Sequence, residues 1–402
     1  MTSAKPLHIL YHHRTQGRGA EGVHIVSIVH ALQRLGHRVT VLSPAGIDPL
    51  ASAGDAPVDK SSVSTSGVQS LWKWISKHLP NFLFEFAEMG YNIPARRRLD
   101  AALASDKFDL IYERYAFYLT AGAKAAKRHG IPFVLEANEV SGIKDRARPQ
   151  TFLGLCNRFE RTLFENCTGI LTVSSHLRNM ILARGGIAPE RVHVVPNAIE
   201  VEKFRAVSRD SAHTAKLGLE DAKVMAVCGW FDKWDRLDFL IDAVAKIAPR
   251  FPNAKLLVVG DGPVLAKARE RATQLGVDSS IRFAGAVARK DVLHYLAQAD
   301  IALIPHSNEF GSPVVMFEFM GLGAAVVAPR LAPIEDVHVH GDTALLFKPL
   351  DLDGFVEQIT ALLEDETRRL AIAARAKAIL FERHTWDMNA QQILDTAKGP
   401  AK

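Results

Sequence analysis

Short apolar segments rich in β-branched residues alternate with helical patterns along most of the chain, and this alternation limits the fold more than any other feature. In the first half the apolar segments lie at 7–11, 38–43, 109–112, 132–137, 169–174 and 192–197. In the second half they recur at 223–229, 255–260, 281–285, 300–305, 324–329 and 344–347. Continuous apolar strands separated by helices are typical of parallel sheets that helices cover on both faces. The sequence therefore predicts an α/β protein with two doubly wound, Rossmann-like domains.

The chain has 402 residues, which is more than a single hydrophobic core usually supports. The strand pattern is lost around 198–220, so the linker between the two domains is expected there. Ligands of open α/β sheets bind beyond the carboxyl ends of the strands. We therefore expect the two domains to face a cleft and the chemistry to lie in loops that follow strands.

The cysteine content and the apolar segments indicate the compartment. The chain has only three cysteines, Cys156, Cys167 and Cys228, with no metal-ligand spacing and too few for a disulfide framework. The N-terminus lacks the long apolar core of a secretory signal, and no stretch reaches 18 apolar residues. These observations predict a cytoplasmic protein whose membrane contact, if it has one, is peripheral.

The charge is distributed unevenly between the two halves. The first 200 residues contain 24 basic and 17 acidic residues, whereas the remainder contains 25 and 27. Within the first half, residues 71–98 combine Trp, Phe and Tyr with lysines and the run Arg96, Arg97, Arg98. Aromatic and basic residues together suit a headgroup interface, so we expect contact with an anionic membrane. A core helix with a solvated basic end is the alternative for this segment.

A glycine-rich loop follows the first predicted strand. Residues 17–22 match the pattern GxGxxG, which in this context can indicate a dinucleotide site. However, the second strand is followed by Ser43 and Pro44, with no acidic residue to hold a ribose. An NAD oxidoreductase is therefore the less favoured class of enzyme. We expect instead that Gly17 and Gly19 let the backbone approach a phosphate or sugar.

The segment 305–321 suggests an anion site. A helix is expected to begin at Ser312 and Pro313, because Ser is a favoured N-cap and Pro suits the first helical position. The free amides at such a helix start bind anions, and Glu318 follows about 7.5 Å further along the axis. This spacing suits a carboxylate that holds ribose hydroxyls while the amides hold a diphosphate. A buried glutamate satisfied by neighbouring backbone groups is the alternative.

This segment resembles the Glu-rich donor-site motif of retaining glycosyltransferase family 4, also known as glycosyl transferases group 1. The similarity continues, in order, through 36–39, 194–204, 258–263, 283–287 and 385–390. The resemblance implies a GT-B fold with an acceptor-binding domain at 1–199, a donor-binding domain at 200–384, and a C-terminal helix at 385–402 that returns toward the first domain.

The resemblance also implies roles for individual residues on the donor side. Glu318 would bind the ribose, the amides of Val314 and Val315 the diphosphate, and the loops at Gly260 and Val287 the base. Gly229 and Ser312 would complete the donor site. The family's first acidic residue would fall at Phe310, so Glu309, one position early, can serve only if the loop bulges.

The loop at 229–238 departs further from the family. Trp230 and Asp235 occupy places where relatives carry two cations that offset the charge of the leaving group. Lys233 and Arg236 lie in the same loop, so they are the expected substitutes and, with Glu309, the candidate catalytic residues. Both cations could instead be ordinary surface residues.

Four polar residues follow two strands of the first half and are expected on the acceptor side: Glu113, Arg114, Asn138 and Glu139. They could orient an acceptor hydroxyl. A structural network of Glu113, Arg114 and Glu139 is the alternative.

Together these features predict a hexosyltransferase-type glycosyltransferase that works with retention. No His/carboxylate cluster has metal-ligand spacing, so no catalytic metal and no separate cofactor are expected. The expected partners are a nucleotide-diphosphate sugar, with UDP favoured over GDP, and a saccharide or lipid-linked acceptor of cell-surface polysaccharide or glycolipid synthesis. Nucleic acid is not expected as a partner, and the inner face of the cell membrane is the expected location. A GT-B protein that binds nucleotide sugars without catalysis is the alternative.

Overall fold

The computed structural model of the chain describes residues 5–15, 19–44, 47–52, 80–143 and 150–399. The described residues divide into two compact units. Unit 1 runs as far as Val195 and includes the chain again from Asp387, and unit 2 runs from Pro196 to Trp386. The assignment of acceptor and donor binding to the predicted domains stays a prediction.

Unit 1 is built on a six-stranded parallel sheet in which the strand order is β2-β1-β3-β4-β5-β6. Its strands are β1 (His8–His12), β2 (Arg38–Leu42), β3 (Leu110–Arg114), β4 (Phe133–Ala137), β5 (Gly169–Thr172) and β6 (Val192–Val194). Its helices are α1 (Gly19–Arg34), α2 (Pro49–Ser52), α3 (Asn81–Gly90), α4 (Asn92–Ser105), α5 (Ala121–His129), α6 (Leu153–Glu165) and α7 (Ser175–Arg184).

Unit 2 is built on a second six-stranded parallel sheet in which the order is β12-β11-β10-β7-β8-β9. Its strands are β7 (Lys223–Trp230), β8 (Ala254–Asp261), β9 (Ile281–Gly285), β10 (Ile301–Leu303), β11 (Ala325–Pro329) and β12 (Ala344–Phe347). Its helices are α8 (Val201–Arg205), α9 (Ser211–Lys216), α10 (Leu237–Ile247), α11 (Leu265–Gln274), α12 (Val292–Leu296), α13 (Val314–Leu322), α14 (Ala332–Glu335), α15 (Leu352–Glu364) and α16 (Glu366–Arg383).

Two further features complete the list of elements. Short 3-10 helices lie at Pro189–Arg191, Lys233–Asp235 and Asp278–Ser280. The last helix, α17 (Trp386–Ala397), lies in unit 1, where Asp387 pairs with Arg34 of α1 at 2.6 Å. None of the helices in the described residues is long and apolar enough to cross a membrane.

Each predicted strand segment has a strand of the structure within it or overlapping it, and the fold class of two doubly wound parallel α/β domains is confirmed. The central strand β7 shows why its sequence is apolar throughout. Met225 and Val227 belong to the hydrophobic core on one face of the sheet, whereas Val224 and Ala226 belong to the core on the other face. Because both faces are covered by helices, the side chains from Val224 to Val227 are all buried although they alternate between the faces.

The strand orders locate a topological switch point in each unit. In unit 1 the chain proceeds from β1 to β2 on one side and to β3 on the other, so the switch point lies between β1 and β3. In unit 2 it lies between β7 and β10. Ligands of doubly wound sheets bind at the carboxyl ends of the strands that flank such points.

Candidate functional site

In unit 2 the carboxyl ends of β7 and β8, and the residues just after them, approach one another through their backbones. A Cβ atom on Gly260, whose φ is +125°, would lie 1.9 Å from the carbonyl oxygen of Gly229. One on Gly262, at φ +150°, would lie 2.2 Å from that of Phe231. Only glycine fits at both positions without a shift. By contrast, a Cβ on Gly229 would have only Phe231 within 4 Å, at 3.9 Å, so space is open beside Gly229.

Helix α13 begins at the carboxyl end of β10, but its start differs from the prediction. The helix starts at Val314 with Pro313 at the N-cap, and no side chain caps it. The prediction that Ser312 is the N-cap is therefore wrong. The Ser312 hydroxyl instead accepts a hydrogen bond from the backbone N–H of Asn197 at 3.1 Å. Asn197 also donates its side-chain amide to the Ser312 carbonyl at 2.7 Å. Asn197 thus fixes the loop while the Val314 and Val315 amides are left without a side-chain cap.

Glu318 lies on α13, four residues after Val314, and is 4% exposed. Its Oε1 atom lies 2.5 Å from Nη2 of Arg289, which the connection from β9 to α12 supplies. Burial raises the pKa of Glu318 above its ordinary value, and Arg289 opposes this effect without cancelling it. Val287, two residues before Arg289, is half-buried against the core on this side of the sheet.

Glu309 lies in the loop that precedes α13 and is exposed. The loop turns around Asn308, whose side-chain oxygen accepts hydrogen bonds from the backbone N–H groups of Phe310 at 3.2 Å and Gly311 at 2.5 Å. Such turns, in which an Asn side chain replaces a backbone acceptor, tighten a loop locally. The catalytic role of Glu309 stays a prediction.

The connection after β7 contains both predicted catalytic cations. Lys233 is exposed and begins a short 3-10 helix that the Asp232 side chain caps. Arg236 has a left-handed backbone, at φ +51°, and its guanidinium donates to both carboxylate oxygens of Asp238, from Nε at 2.9 Å and from Nη2 at 3.0 Å. Arg236 must therefore leave Asp238 before it can act on a leaving group, whereas no ion pair among the described residues holds the Lys233 side chain.

The same loop carries an acid with an unusual pKa. Burial raises the pKa of Asp235 to about 6, helped by the charge of Asp232 and opposed by a hydrogen bond from the Asp232 backbone N–H at 2.6 Å. Trp230 and Trp234 are 40% and 44% exposed beside it. The loop therefore combines exposed aromatic rings with a carboxylate whose charge the protein does not fully compensate.

The corresponding edge of unit 1 is organised around Glu136, at the end of β4, which is 4% exposed. Its carboxylate contacts five side chains among the described residues: Tyr112 at 2.7 Å, Arg114 at 2.7 Å, Asn138 at 2.5 Å, His24 at 2.8 Å and Tyr11 at 3.3 Å. Burial alone would raise the pKa of Glu136, but His24, Arg114 and Asn138 hold it well below its ordinary value. Glu136 is thus an ionised hub that the protein itself satisfies.

Of the predicted acceptor-side residues, some contact Glu136 and others do not. Arg114 and Asn138 are both held by Glu136, and the Asn138 amide donates through its nitrogen, so its side-chain oxygen can still accept. Glu113 is fully buried and lies 2.5 Å from His12, which favours the structural alternative for Glu113. Glu139 is half-buried. Gly17 lies outside the described residues, and Gly19 begins α1.

Sequence reasoning missed three residues of these two edges, Arg289, His12 and His24, and it did not identify Glu136 as the centre of the unit 1 network. Arg289 stands in a loop of mixed charges, and its partner is 29 residues away. His12 and Glu136 lie at strand ends, where polar residues in otherwise apolar segments could have indicated them. His24 lies within α1, and no local pattern marks it.

Comparison with known proteins gives matches to both halves of the chain. A family model described as Glycosyltransferase Family 4 matches residues 21–203, and one described as Glycosyl transferases group 1 matches residues 222–365. The D-inositol 3-phosphate glycosyltransferase of Nocardioides sp. is 25% identical over 408 residues, covering 95% of this chain and 85% of that protein. The phosphatidyl-myo-inositol mannosyltransferase of Mycolicibacterium smegmatis is 25% identical over 375 residues, covering 92% and 88%.

A solved structure extends this likeness to the whole fold. The crystal structure of the Anabaena protein HepE in complex with UDP has a TM-score of 0.69 and 18% identity, covering 98% of this chain and 100% of that chain.

Proposed function

The chain belongs to glycosyltransferase family 4, and from this premise we propose that it transfers a sugar from a UDP-sugar to a hydroxyl group of a saccharide or lipid-linked acceptor. One observation carries the proposal. The buried carboxylate of Glu318 follows the uncapped amides of Val314 and Val315 on one helix, at the switch point of unit 2. Amides at a helix start bind phosphate oxygens, and a carboxylate accepts hydrogen bonds from ribose hydroxyls.

The choice of UDP rests on a structural neighbour. HepE, which is similar in fold, was crystallised with UDP. In this chain Gly260 lies near the end of β8 and Val287 follows β9, the two strands on one side of β7, and this is the place proposed for the base. The open space beside Gly229 is where the diphosphate would pass.

We further propose retention without a catalytic metal. The acceptor oxygen would bond to the anomeric carbon on the face from which the diphosphate leaves, and an oxygen of the departing phosphate would take the acceptor's proton. The negative charge that grows on the diphosphate would be stabilised by the α13 amides and by Lys233 or Arg236. Glu309 would face the donor sugar, and Arg114, Asn138 and Glu139 the acceptor.

These cations can be tested separately from binding. We expect Lys233→Ala to lower turnover at least about tenfold while UDP affinity changes much less, as for charge that develops in the transition state. Arg236→Ala is expected to have the smaller effect of the two, because Asp238 already holds its guanidinium.

A role at the cytoplasmic face of the cell membrane, in cell-surface polysaccharide or glycolipid synthesis, is the remaining part of the proposal. Helices α3 and α4 expose large apolar side chains, among them Phe86 at 54% and Ile93 at 62%, and α4 also exposes Arg96 and Arg97. Apolar groups beside cations suit anionic lipid headgroups. Residues 71–79 of the aromatic basic segment lie outside the described residues.

Flotation with vesicles that contain anionic lipid tests this contact. The parent protein should bind at low salt and dissociate as salt rises, and replacing Arg96, Arg97 and Arg98 by Ser should weaken binding. A parent protein that ignores such vesicles at low salt would contradict the membrane proposal.

The activity itself is tested by two measurements. A thermal-shift screen with UDP, GDP, ADP and NAD should show stabilisation by UDP above the others. UDP release from a panel of UDP-sugars should then require an acceptor, and the NMR spectrum of the product should show the donor's anomeric configuration. Stabilisation by UDP without transfer or hydrolysis would favour the alternative, a non-catalytic GT-B protein that binds nucleotide sugars. EDTA should leave the rate unchanged.

A further inference from the structure

The ion pair between Arg289 and Glu318 joins one accessible partner to one inaccessible partner. Nη2 of Arg289 lies 2.5 Å from Oε1 of Glu318. The Arg289 side chain is 46% exposed, whereas that of Glu318 is 6% exposed. Arg289 can therefore be replaced without disturbing the packing of α13. The protonation state of the buried Glu318 carboxyl group, by contrast, depends on the groups that contact it.

Few other titratable groups act on this carboxylate. Burial raises the pKa of Cys228, near the end of β7, and the thiol is close enough for Glu318 to raise that pKa further and for Arg289 to lower it. The elements packed on α13 present apolar residues: Val292 and Leu296 of α12, Phe204 of α8, Val326 and Ala328 of β11, and Ala376 and Leu380 of α16. His384, just after α16, lies against the ring of the neighbouring Phe317 at 5.5 Å between centroids. Among the described residues, Arg289 is thus the cation that acts on Glu318.

This arrangement decides which form of the carboxyl group is present. A carboxyl group buried without a cation takes up a proton, and its protonated oxygen becomes a donor. Because Arg289 contacts Oε1, it favours the ionised carboxylate, in which Oε2 can accept a hydrogen bond. Two ribose hydroxyls need acceptors, so their binding depends on the ionised form.

We propose that Arg289 is a positioning residue for the donor nucleotide, holding Glu318 ionised and oriented toward the ribose hydroxyls. This inference rests on the proposed role of Glu318 in nucleotide binding. Arg289 acts through Glu318 and not on the reacting atoms.

The test is the pH dependence of UDP affinity, measured by calorimetry from about pH 5 to about pH 8.5 with the parent, Arg289→Gln and Arg289→Lys. Near the alkaline end, Arg289→Gln should bind UDP within about threefold of the parent. As the pH falls, its affinity should decline at a higher pH than the parent's, reaching a difference of about tenfold for each unit by which the pKa of Glu318 rises. Arg289→Lys should restore most of the parent's profile.

Glu318→Gln supplies the matched control, because its side chain cannot titrate. Adding Arg289→Gln to Glu318→Gln should produce no further change in the pH profile. The phosphate of UDP titrates in every experiment alike, so it cancels when profiles are compared. Thermal unfolding of each variant at the same pH values shows that the folded protein is being compared.

Three results would overturn the inference. A loss of affinity in Arg289→Gln by the same factor at every pH would mean that Arg289 contacts the nucleotide directly. A gain in affinity would mean that Arg289 competes with the ribose for Glu318. Absence of UDP binding by the parent at every pH would overturn the proposed function and this inference with it, so the two failures are distinguishable.

Discussion

Two buried glutamates, Glu136 in unit 1 and Glu318 in unit 2, have pKa values shifted in opposite directions although each lies at the carboxyl edge of a parallel sheet. Glu136 is contacted by five side chains among the described residues, and its pKa lies well below the ordinary value. Glu318 has one cation beside it, and its pKa lies above the ordinary value. Burial is nearly the same for both, at 4% exposure. The difference is therefore in the partners that the protein supplies.

The difference in the number of partners around the two carboxylates indicates a different role for each sheet edge. A carboxylate whose hydrogen-bonding capacity the protein fills contributes to the framework, whereas one that is left short of partners is suited to a ligand that completes it. Asp235, in the loop after β7, likewise has too few partners to stabilise its charge, and its pKa is raised to about 6. We therefore expect mutations at the unit 1 edge to act on stability and those at the unit 2 edge to act mainly on nucleotide binding.

The largest effect is expected for Glu136→Ala. Its removal leaves the charge of Arg114 and the imidazole of His24 without their buried partner, and breaking a buried ion pair typically costs about 3–5 kcal/mol of unfolding free energy. Chemical denaturation measures the loss, and Asp100→Ala, which removes exposed ion pairs with Arg96 and Arg128, should cost less than about 1 kcal/mol. Equal losses in the two variants would contradict the framework role of Glu136.

The Glu136 contribution also has a predicted pH dependence. Because its pKa in the folded protein is lowered, its stabilisation is present above the pKa of the unfolded chain, about 4.3, and is lost as the pH falls below that value.

Glu318→Ala is expected to act on binding. Removing a charged acceptor of ribose hydroxyls should weaken UDP binding by about 1.5–3 kcal/mol. Calorimetry measures the affinity, and Glu335→Ala, which breaks an exposed pair with Arg330, is the control and should bind UDP as the parent does. Unchanged affinity in a folded Glu318→Ala protein would remove Glu318 from the donor site.

Gly260→Ala tests whether the close approach of the Gly260 and Gly229 backbones is required for the structure of the unit 2 edge. The added Cβ would meet the Gly229 carbonyl oxygen at 1.9 Å, and the φ of +125° is unfavourable for alanine, so the carboxyl ends of β7 and β8 must shift. We expect a loss of about 1–3 kcal/mol in stability together with weaker UDP binding. Gly229→Ala, for which space is open, should change stability by less than about 1 kcal/mol. Similar stability losses in the two variants would show that the close approach is not required.

The smallest effect is expected for Asp235→Asn, which should raise the stability of the protein, whereas the preceding variants lower stability or affinity. Since the pKa of Asp235 is raised to about 6 in the folded protein, its ionisation at neutral pH destabilises the fold. The amide keeps an oxygen for the Asp232 backbone N–H but carries no charge, so stability at pH 7 should rise by about 1–2 kcal/mol. The gain should shrink as the pH falls below about 6 and should vanish below the pKa of the unfolded side chain, about 3.9. A variant less stable than the parent at neutral pH would contradict the shortage of partners at Asp235.

The sequence was sufficient for the features that depend on local periodicity. The apolar segments predicted the strands of both sheets, and the helix carrying Glu318 was placed correctly to within a few residues. It could not predict contacts between distant residues. Ser312 is of a residue type that favours the N-cap, but its hydroxyl accepts a hydrogen bond from the backbone N–H of Asn197, 115 positions away. Likewise, the pairing of Glu113 with His12, 101 positions away, could not be predicted from the sequence, and the acceptor-side role of Glu113 stays a prediction.

The most direct test of the contrast between the two edges is backbone hydrogen exchange with and without UDP. The account predicts that UDP slows exchange in unit 2 at 229–236, 260–263 and 305–315, and that the same UDP concentration does not do so in Glu318→Ala. It also predicts smaller changes in unit 1 at 12–15 and 113–115. Protection confined to the unit 1 edge, with the unit 2 loops unchanged by saturating UDP, would contradict the account.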